Sequence, residues 1–324
     1  MKLRIATRKS KLALTQTGWV GEQLRALSPG LEVELVHVVT VGDRVQDVSL
    51  NAIGGKGLFV TEVEQAVLEG RAEIAVHSLK DMPAELAEGL CLGCVPKRED
   101  PRDALVTVDG CALDDLSAGD RVGTNSLRRT LQLRRLRNDL QYAMLRGNVD
   151  TRLRKLEQGD YRAIVLAMSG LRRLGLADRP LQPLDVLESV PAVGQGALAV
   201  EARIDDATTL ELLSKLEHAP TRLCIEAERA FLSALGGDCH TPLAGYAHFP
   251  EPSMMRFDGL VGAVNDTRVV QAGSQHYTRT ASVQEARQLG IEVAQTLLDD
   301  GAGALIEEAR QSAEAAARDP RRPT

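Results

Sequence analysis

No stretch of this 324-residue chain is long and apolar enough to cross a bilayer. Its longest apolar runs, such as Ala163-Ile-Val-Leu-Ala-Met168, stop far short of the roughly 20 residues a membrane helix needs. Met1-Lys-Leu-Arg-Ile-Ala-Thr-Arg8 carries charges where an export signal needs an apolar core. An excess of positive charge is also missing: the net charge is −6, whereas general nucleic-acid binding calls for a basic surface. The five cysteines, Cys91, Cys94, Cys111, Cys224 and Cys239, are an odd set, and without an export signal they are expected as reduced thiols. Cys91-Leu-Gly-Cys94 has metal or redox spacing, but no second pair or His cluster accompanies it; it alternates like a strand, and no metal is expected. Ile53-Gly-Gly-Lys-Gly57 lacks both the spacing and the trailing Ser/Thr of a nucleotide phosphate loop. These absences point to a cytoplasmic protein with no membrane and no nucleic-acid partner.

What is present is the composition of an ordinary globular protein, 44% hydrophobic and 26% charged, long enough for two or three domains. Leu3 to Thr7 reads as a strand and Lys11 to Leu27 as a helix capped by Ser10 and ended by Ser28-Pro-Gly30. Leu31 to Val39 alternates as a second strand. A loop from Thr40 to Gly57 precedes an amphipathic helix from Leu58 to Gly70, and its length favours a binding loop. A buried strand then ends in Val76-His-Ser-Leu-Lys-Asp81. His77, Ser78, Lys80 and Asp81 there are either a polar turn or an acid beside a base at a strand's carboxyl end, where open α/β sheets keep their ligands. Strand and helix alternate as in a doubly wound domain.

Pro96 to Asp103, with two prolines and alternating charges, fits a connection between domains. After it the pattern restarts. Thr124, Asn125 and Ser126 open a helix with Arg128 and Arg129 in its first turn, where cations oppose the helix dipole and an anionic ligand would relieve them. Arg146, Gly147 and Arg152 repeat the device after the next strand, and Ser169, Arg172 and Arg173 repeat it again. Repetition favours polyanion binding over solvated surface. Pro191-Ala-Val-Gly-Gln-Gly196 reads as a crossing back to the first domain, with Gln195 where backbone and ligand could approach closely. Leu210 to Leu235 reads as a helix interrupted near Pro220, with Thr221 as a cap. Gly236 and Gly237 then place Cys239 on an accessible loop; His240 is adjacent in sequence, but neighbouring side chains point apart. A small sheet from Leu243 to Tyr277, a helix from Val283 to Leu298 and a fraying tail beyond Arg310 complete the pattern.

These segments closely resemble the porphobilinogen deaminase, or hydroxymethylbilane synthase, family over nearly the whole chain. The likeness rests on Arg4-Ile-Ala-Thr-Arg8, Gly54-Gly-Lys-Gly-Leu-Phe59, Val76-His-Ser-Leu-Lys-Asp81, Gly123-Thr-Asn-Ser-Leu-Arg-Arg129, Leu145-Arg-Gly-Asn148, Pro191-Ala-Val-Gly-Gln-Gly196 and the Cys239 loop. The chain departs from the family at Ala52, where lysine is frequent, and at Asp238, where a small residue is. The resemblance implies two periplasmic-binding-protein-like α/β lobes, residues 1–96 with 197–214 and residues 102–190. It also implies a small C-terminal α/β domain, 219–312, before a frayed tail, 313–324.

It implies, too, a transferase of tetrapyrrole (heme, porphyrin) biosynthesis, a monomer joining four porphobilinogen molecules head to tail with loss of four ammonias. A dipyrromethane cofactor on Cys239 would prime the chain. Lys80, Thr124, Asn125, Ser126, Arg128, Arg129, Arg146 and Gly147 would hold the cofactor. Arg8, Ser10, Lys56, Phe59, Arg152, Arg173 and Gln195 would serve the substrate, and Asp81 would be the catalytic carboxylate. A two-lobed binding protein without chemistry would account for the hinge and anion sites but not for a reactive cysteine on a third domain.

Overall fold

The computed structural model describes residues 2–40, 60–236, 241–277 and 282–318. The first lobe opens with β1 (Lys2–Arg8), α1 (Lys11–Leu27) and β2 (Glu32–Val38), and continues with α2 (Thr61–Leu68), β3 (Ile74–Ser78) and β4 (Leu90–Cys94). The second holds β5 (Asp103–Thr107), β6 (Arg121–Gly123), α3 (Leu127–Leu136), β7 (Gln141–Ala143), α4 (Val149–Glu157), β8 (Ala163–Ala167), α5 (Met168–Arg173) and β9 (Leu181–Pro183). The chain then supplies β10 (Leu198–Arg203) and α6 (Ala207–Ser214) before α7 (Ala219–Leu235), β11 (Leu243–Glu251), β12 (Met254–Gly262), β13 (Val269–Tyr277), α8 (Val283–Asp299) and α9 (Ala302–Arg318).

The two lobes share one plan. Their sheets run β2-β1-β3-β10-β4 and β7-β6-β8-β5-β9. In the first, β1 is parallel to β2 and β3 while β10 runs antiparallel between β3 and β4. In the second, β6 is parallel to β7 and β8 while β5 is antiparallel to β8 and β9. Parallel strands put their carboxyl ends on one edge, so β1 and β3 of one lobe, and β6, β7 and β8 of the other, each deliver their following loops to a single side. Buried Ile, Leu and Val fill both faces of each sheet. The third unit is an antiparallel sheet, β11-β12-β13. One face packs on α7 and α8 around Phe231 and Phe257, whose ring centres lie 4.9 Å apart. Its other face meets α3 of the second lobe through Leu131, Val190, Ala244 and Leu260.

Local signals account for most boundaries. Ser10 caps α1 by accepting from the Ala13 amide at 3.3 Å. Gly236 ends α7 with φ +60. Cys91-Leu-Gly-Cys94 lies in β4 with alternating burial, and burial pushes the Cys94 thiol well above its ordinary pKa. The helical stretch is interrupted near Pro220 as expected: α6 ends at Ser214, α7 begins at Ala219, and Pro220 sits in the first turn of α7, where its missing N–H is harmless. Two expectations are corrected. The cap there is His218, whose ring Nδ1 accepts from the Thr221 amide, rather than Thr221 itself. The tail does not fray at Arg310: α9 continues to Arg318, because Ala302, Leu305, Ile306 and Ala309 dock its first half on the third core and alanines carry the helix on.

A candidate active site at the facing strand ends

Arg8 closes β1 and Ser10 follows it; Ser78 closes β3; Lys80 and Asp81 occupy a single 3₁₀ turn, Leu79–Asp81. Gln16 of α1, a residue no sequence signal singled out, donates to Ser78 Oγ at 2.8 Å and ties the helix to the strand end. Asp81 is exposed and borders a small cavity with Arg8, Ser10, Gln16, His77 and Ser78. Among the described residues its carboxylate receives no hydrogen bond and no ion pair, although it stands in the fields of Lys80 and Arg152.

From the second lobe, Ser126 caps α3 by accepting from the Arg129 amide at 3.4 Å, and Thr124 Oγ1 accepts from the Ser126 amide at 3.2 Å. Thr124 is buried and Asn125 exposed. Arg128 and Arg129, expected to await a ligand, already share a buried partner: each reaches a different oxygen of Asp103 at 2.7 Å, and Asp103 is fully buried. Burial alone would raise the Asp103 carboxyl, but the two guanidiniums override it and hold the group well below the usual carboxylate range. Arg128 also donates to the Val190 carbonyl at 2.7 Å and Arg129 to that of Val165 at 2.9 Å. In sequence Asp103 closes a proline- and charge-rich stretch that reads as a connector. The missed signal is a charge opening an otherwise apolar buried strand, Asp103-Ala-Leu-Val-Thr107.

Gln195 joins these groups. Its amide donates to Asp103 Oδ1 at 2.9 Å and to the Pro101 carbonyl at 2.7 Å, while its oxygen lies 3.5 Å from both Lys80 Nζ and Arg129. With 1% exposure it has no surface for a substrate, so its expected substrate contact is replaced by a joining one. The glycines beside it serve the same end. Gly194 and Gly196 have φ of +73 and +90, and an added Cβ would collide with Leu79 Cδ2 or the Glu99 carbonyl, so each passes close to another part of the chain.

Among the described residues, Arg146, Arg152 and Arg173 have uncharged hydrogen-bond partners. Arg146 Nε lies 3.1 Å from Met144 Sδ, Arg152 donates to the Gly147 carbonyl at 2.7 Å, and Arg173 to that of Gly196 at 2.6 Å. Gly147 has φ +109 and lies against Thr151. Burial, and then the nearby Arg129, lower Arg152 to about 10; burial lowers Arg173 to about 10 as well. Lys80 is pushed down to about 8 by its enclosure first and then by Arg129, although water reaching it through the open cleft works against the shift. Burial is the first cause of all three depressions, and a neighbouring cation adds to it at Lys80 and Arg152. Contacts and fields thus link Lys80, Asp81, Arg129, Arg152 and Gln195, while Arg8 and Ser10 meet Asp81 at the cavity. Lys56, Phe59 and Cys239 lie outside the described residues.

The family described as porphobilinogen deaminase, dipyromethane cofactor binding domain, matches residues 3–211, and the porphobilinogen deaminase C-terminal domain matches 222–299. The porphobilinogen deaminase of Brevibacillus brevis is 49% identical over 95% of this chain and 97% of its own. That of Shouchella clausii is 47% identical over 97% of this chain and 99% of its own. Among solved structures, a probable amino-acid ABC transporter extracellular-binding protein of Bacillus subtilis aligns at 11% identity, covering 67% of this chain and 90% of its own with a TM-score of 0.39.

Proposed function

The chain belongs to the porphobilinogen deaminase family, and from that premise we propose that the basic cleft between its lobes is where the reaction runs. The protein is a transferase that polymerises porphobilinogen into hydroxymethylbilane in tetrapyrrole biosynthesis, and it uses a dipyrromethane cofactor. The observation that carries the site assignment is the Asp81 carboxylate, which among the described residues has no hydrogen bond or ion pair, borders a cavity with Arg8 and Ser10, and stands in the fields of Lys80 and Arg152.

Every pyrrole of substrate and cofactor bears an acetate and a propionate, so a site that takes them must supply cations and hydrogen-bond donors in excess. The donor set fits. Lys80, Thr124, Asn125, Ser126, Arg146 and Gly147 hold the cofactor carboxylates, with attachment through Cys239. Arg128 and Arg129 join them with the donors that Asp103 leaves free. Arg8, Ser10, Arg152 and Arg173 serve incoming substrate, together with Lys56 and Phe59. When bound, the dipyrromethane supplies a pyrrole with a free α-carbon to be extended. Asp81 accepts pyrrole N–H groups and stabilises the positive charge left on porphobilinogen as ammonia departs. The working domains are 1–96 with 197–214, 102–190, and 219–312. A cytoplasmic monomer is the accompanying expectation, checked for assembly by light scattering.

The test is the mass of the intact denatured protein. It should exceed the sequence mass by one dipyrromethane, and peptide mapping should place the adduct on Cys239 and not on Cys91, Cys94, Cys111 or Cys224. A fully active protein with no adduct would sink the assignment.

A further inference from the structure

Beside the Asp81 cavity lie three buried titratable side chains that the reaction described so far does not use. His77, near the end of β3, exposes 6% of its side chain, and its Nε2 stands 2.9 Å from Oε2 of Glu201, which is wholly buried in β10. Glu64 of α2, 7% exposed, is the third. Strand periodicity explains the meeting: Glu201 is in register with Ala75, two positions before His77 and on the same face, and α2 covers that face through Val63, Ala66 and Val67. The His77–Glu201 contact is close enough for an ion pair but is not lined up as a hydrogen bond. Neither oxygen of Glu201 nor Oε1 of Glu64 has a hydrogen-bond partner. Two carboxylates and an imidazole buried together are costly unless protons are shared among them. Burial first and then the charge of Glu201 raise the Glu64 carboxyl above its ordinary value.

We propose that His77, backed by Glu201, accepts the proton released from the pyrrole α-carbon at each addition. The proposal rests on the assignment of the Asp81 cleft as the reaction site. His77 borders the same cavity as Asp81, Arg8 and Ser10. A carboxylate against Nε2 keeps a hydrogen on that nitrogen and leaves Nδ1 as the base. The balance is simple. As ammonia leaves porphobilinogen, its methylene carbon bonds to the free α-carbon of the ring being extended. That carbon must then lose its hydrogen as a proton, and the C–H electron pair restores the aromatic ring. His77 takes the proton and passes it to water or to the departing ammonia, with no oxidant or reductant involved. Asp81 is a poor acceptor for the same proton, because a protonated carboxyl no longer compensates the positive charge it faces. Dividing the two tasks keeps that charge in place throughout. The charged groups facing His77 are Glu201 on β10, Glu64 on α2, Arg8 after β1 and Asp81 after β3. Arg229 on α7 and Cys91 on β4 lie farther out, within the field of Glu201.

The experiment compares turnover of porphobilinogen from about pH 5 to 9 by cofactor-loaded wild type, His77→Gln, Glu201→Gln and Asp81→Asn. Wild type should lose kcat on the acid side through one imidazole-like ionisation. His77→Gln should slow kcat by roughly a hundredfold with KM little changed and lose that limb, while Glu201→Gln should keep more activity and move the midpoint. A wild-type profile flat through the imidazole range overturns the proposal without recourse to any variant, so it is tested even if both substitutions fail to fold. A folded His77→Gln protein with normal kcat and an unchanged profile also overturns it, whatever its melting temperature. If Asp81→Asn is fully active, the cleft assignment has failed; if Asp81→Asn is slow and His77→Gln is not, only the proton acceptor has.

Discussion

At the scale of single residues, opposite charges decide the behaviour of the cleft. Asp81→Asn keeps size and one acceptor oxygen but removes the charge beside the developing cation. Two unit charges about 4 Å apart interact by roughly 4 kcal/mol at an effective dielectric near 20. Turnover should therefore fall about a thousandfold in protein whose mass shows its cofactor. Asp81→Glu should fall less, and a rate for Asp81→Asn within a few-fold of wild type would make Asp81 a turn residue. Lys80 gives a pH dependence whose sign can be worked out. Its folded pKa, about 8, is below the ordinary lysine value of 10.5, so between these values the unfolded chain binds more protons and Lys80 favours folding increasingly as pH rises. Carboxylate binding moves the other way, since the amine loses its charge above about 8. KM for porphobilinogen should rise through that range in wild type and stay flatter in Lys80→Arg, as measured by steady-state kinetics. Arg128 and Arg129 are no longer pure ligand residues: removing either leaves Asp103 undercompensated in the interior, so folding suffers along with chain assembly.

Among the elements, the crossing of residues 191–196 matters most, because it holds the turn that carries Lys80 and Asp81 against the start of the second lobe. Gln132 of α3 fixes its upstream end, donating to the Val190 carbonyl at 3.1 Å and accepting from the Val190 amide at 2.7 Å. Gly194 then passes so close to Leu79 and the Lys80 amide that no side chain fits. Gly194→Ala combines a positive φ with a collision, and a shift forced in a packed interior typically costs about 1–3 kcal/mol. The melting temperature should fall by several degrees, and kcat should fall further than the loss of folded protein explains, because the turn displaced carries Asp81. Unchanged kcat in the folded fraction would show that the crossing only braces the fold.

For the molecule as a whole, one buried node joins three parts of the chain. Arg98, in the connection leaving the first lobe, pairs with Glu228 of α7 at 2.5 Å and donates to the Gln195 carbonyl at 2.8 Å. Glu228 in turn accepts from the amides of Gly194 at 2.6 Å and Ala247 at 2.9 Å, and Arg98 lies over the Tyr246 ring. Because α7 ends only a few residues before Cys239 in sequence, this node ties the third domain to the crossing beside the cleft. Breaking one partner of a buried pair destabilises by about 3–5 kcal/mol. Glu228→Gln should therefore expose the third domain to limited proteolysis at protease levels that leave wild type intact; equal resistance would show that the apolar contacts of α3 with the sheet suffice.

What the sequence determined by itself were the local features. Ser10, Ser126 and Gly236 set helix ends because capping needs only neighbours in the chain. The alternation of strand and helix prescribed two doubly wound lobes, and each strand end carried its own Arg, Lys or Asp in plain view. Tertiary structure alone decided how those charges are matched. Asp103, far from Arg128 in sequence, meets it because β5 runs antiparallel beside β8 and brings its first residue level with the strand ends. Glu201 reaches His77 because β10 inserts between β3 and β4. Gln195 turned from a ligand contact into a joint for the same reason: a carboxylate, an arginine pair and a lysine converge on it from segments no local rule connects. Burial and pairing depend on distance in space, and only the folded sheet order sets that distance.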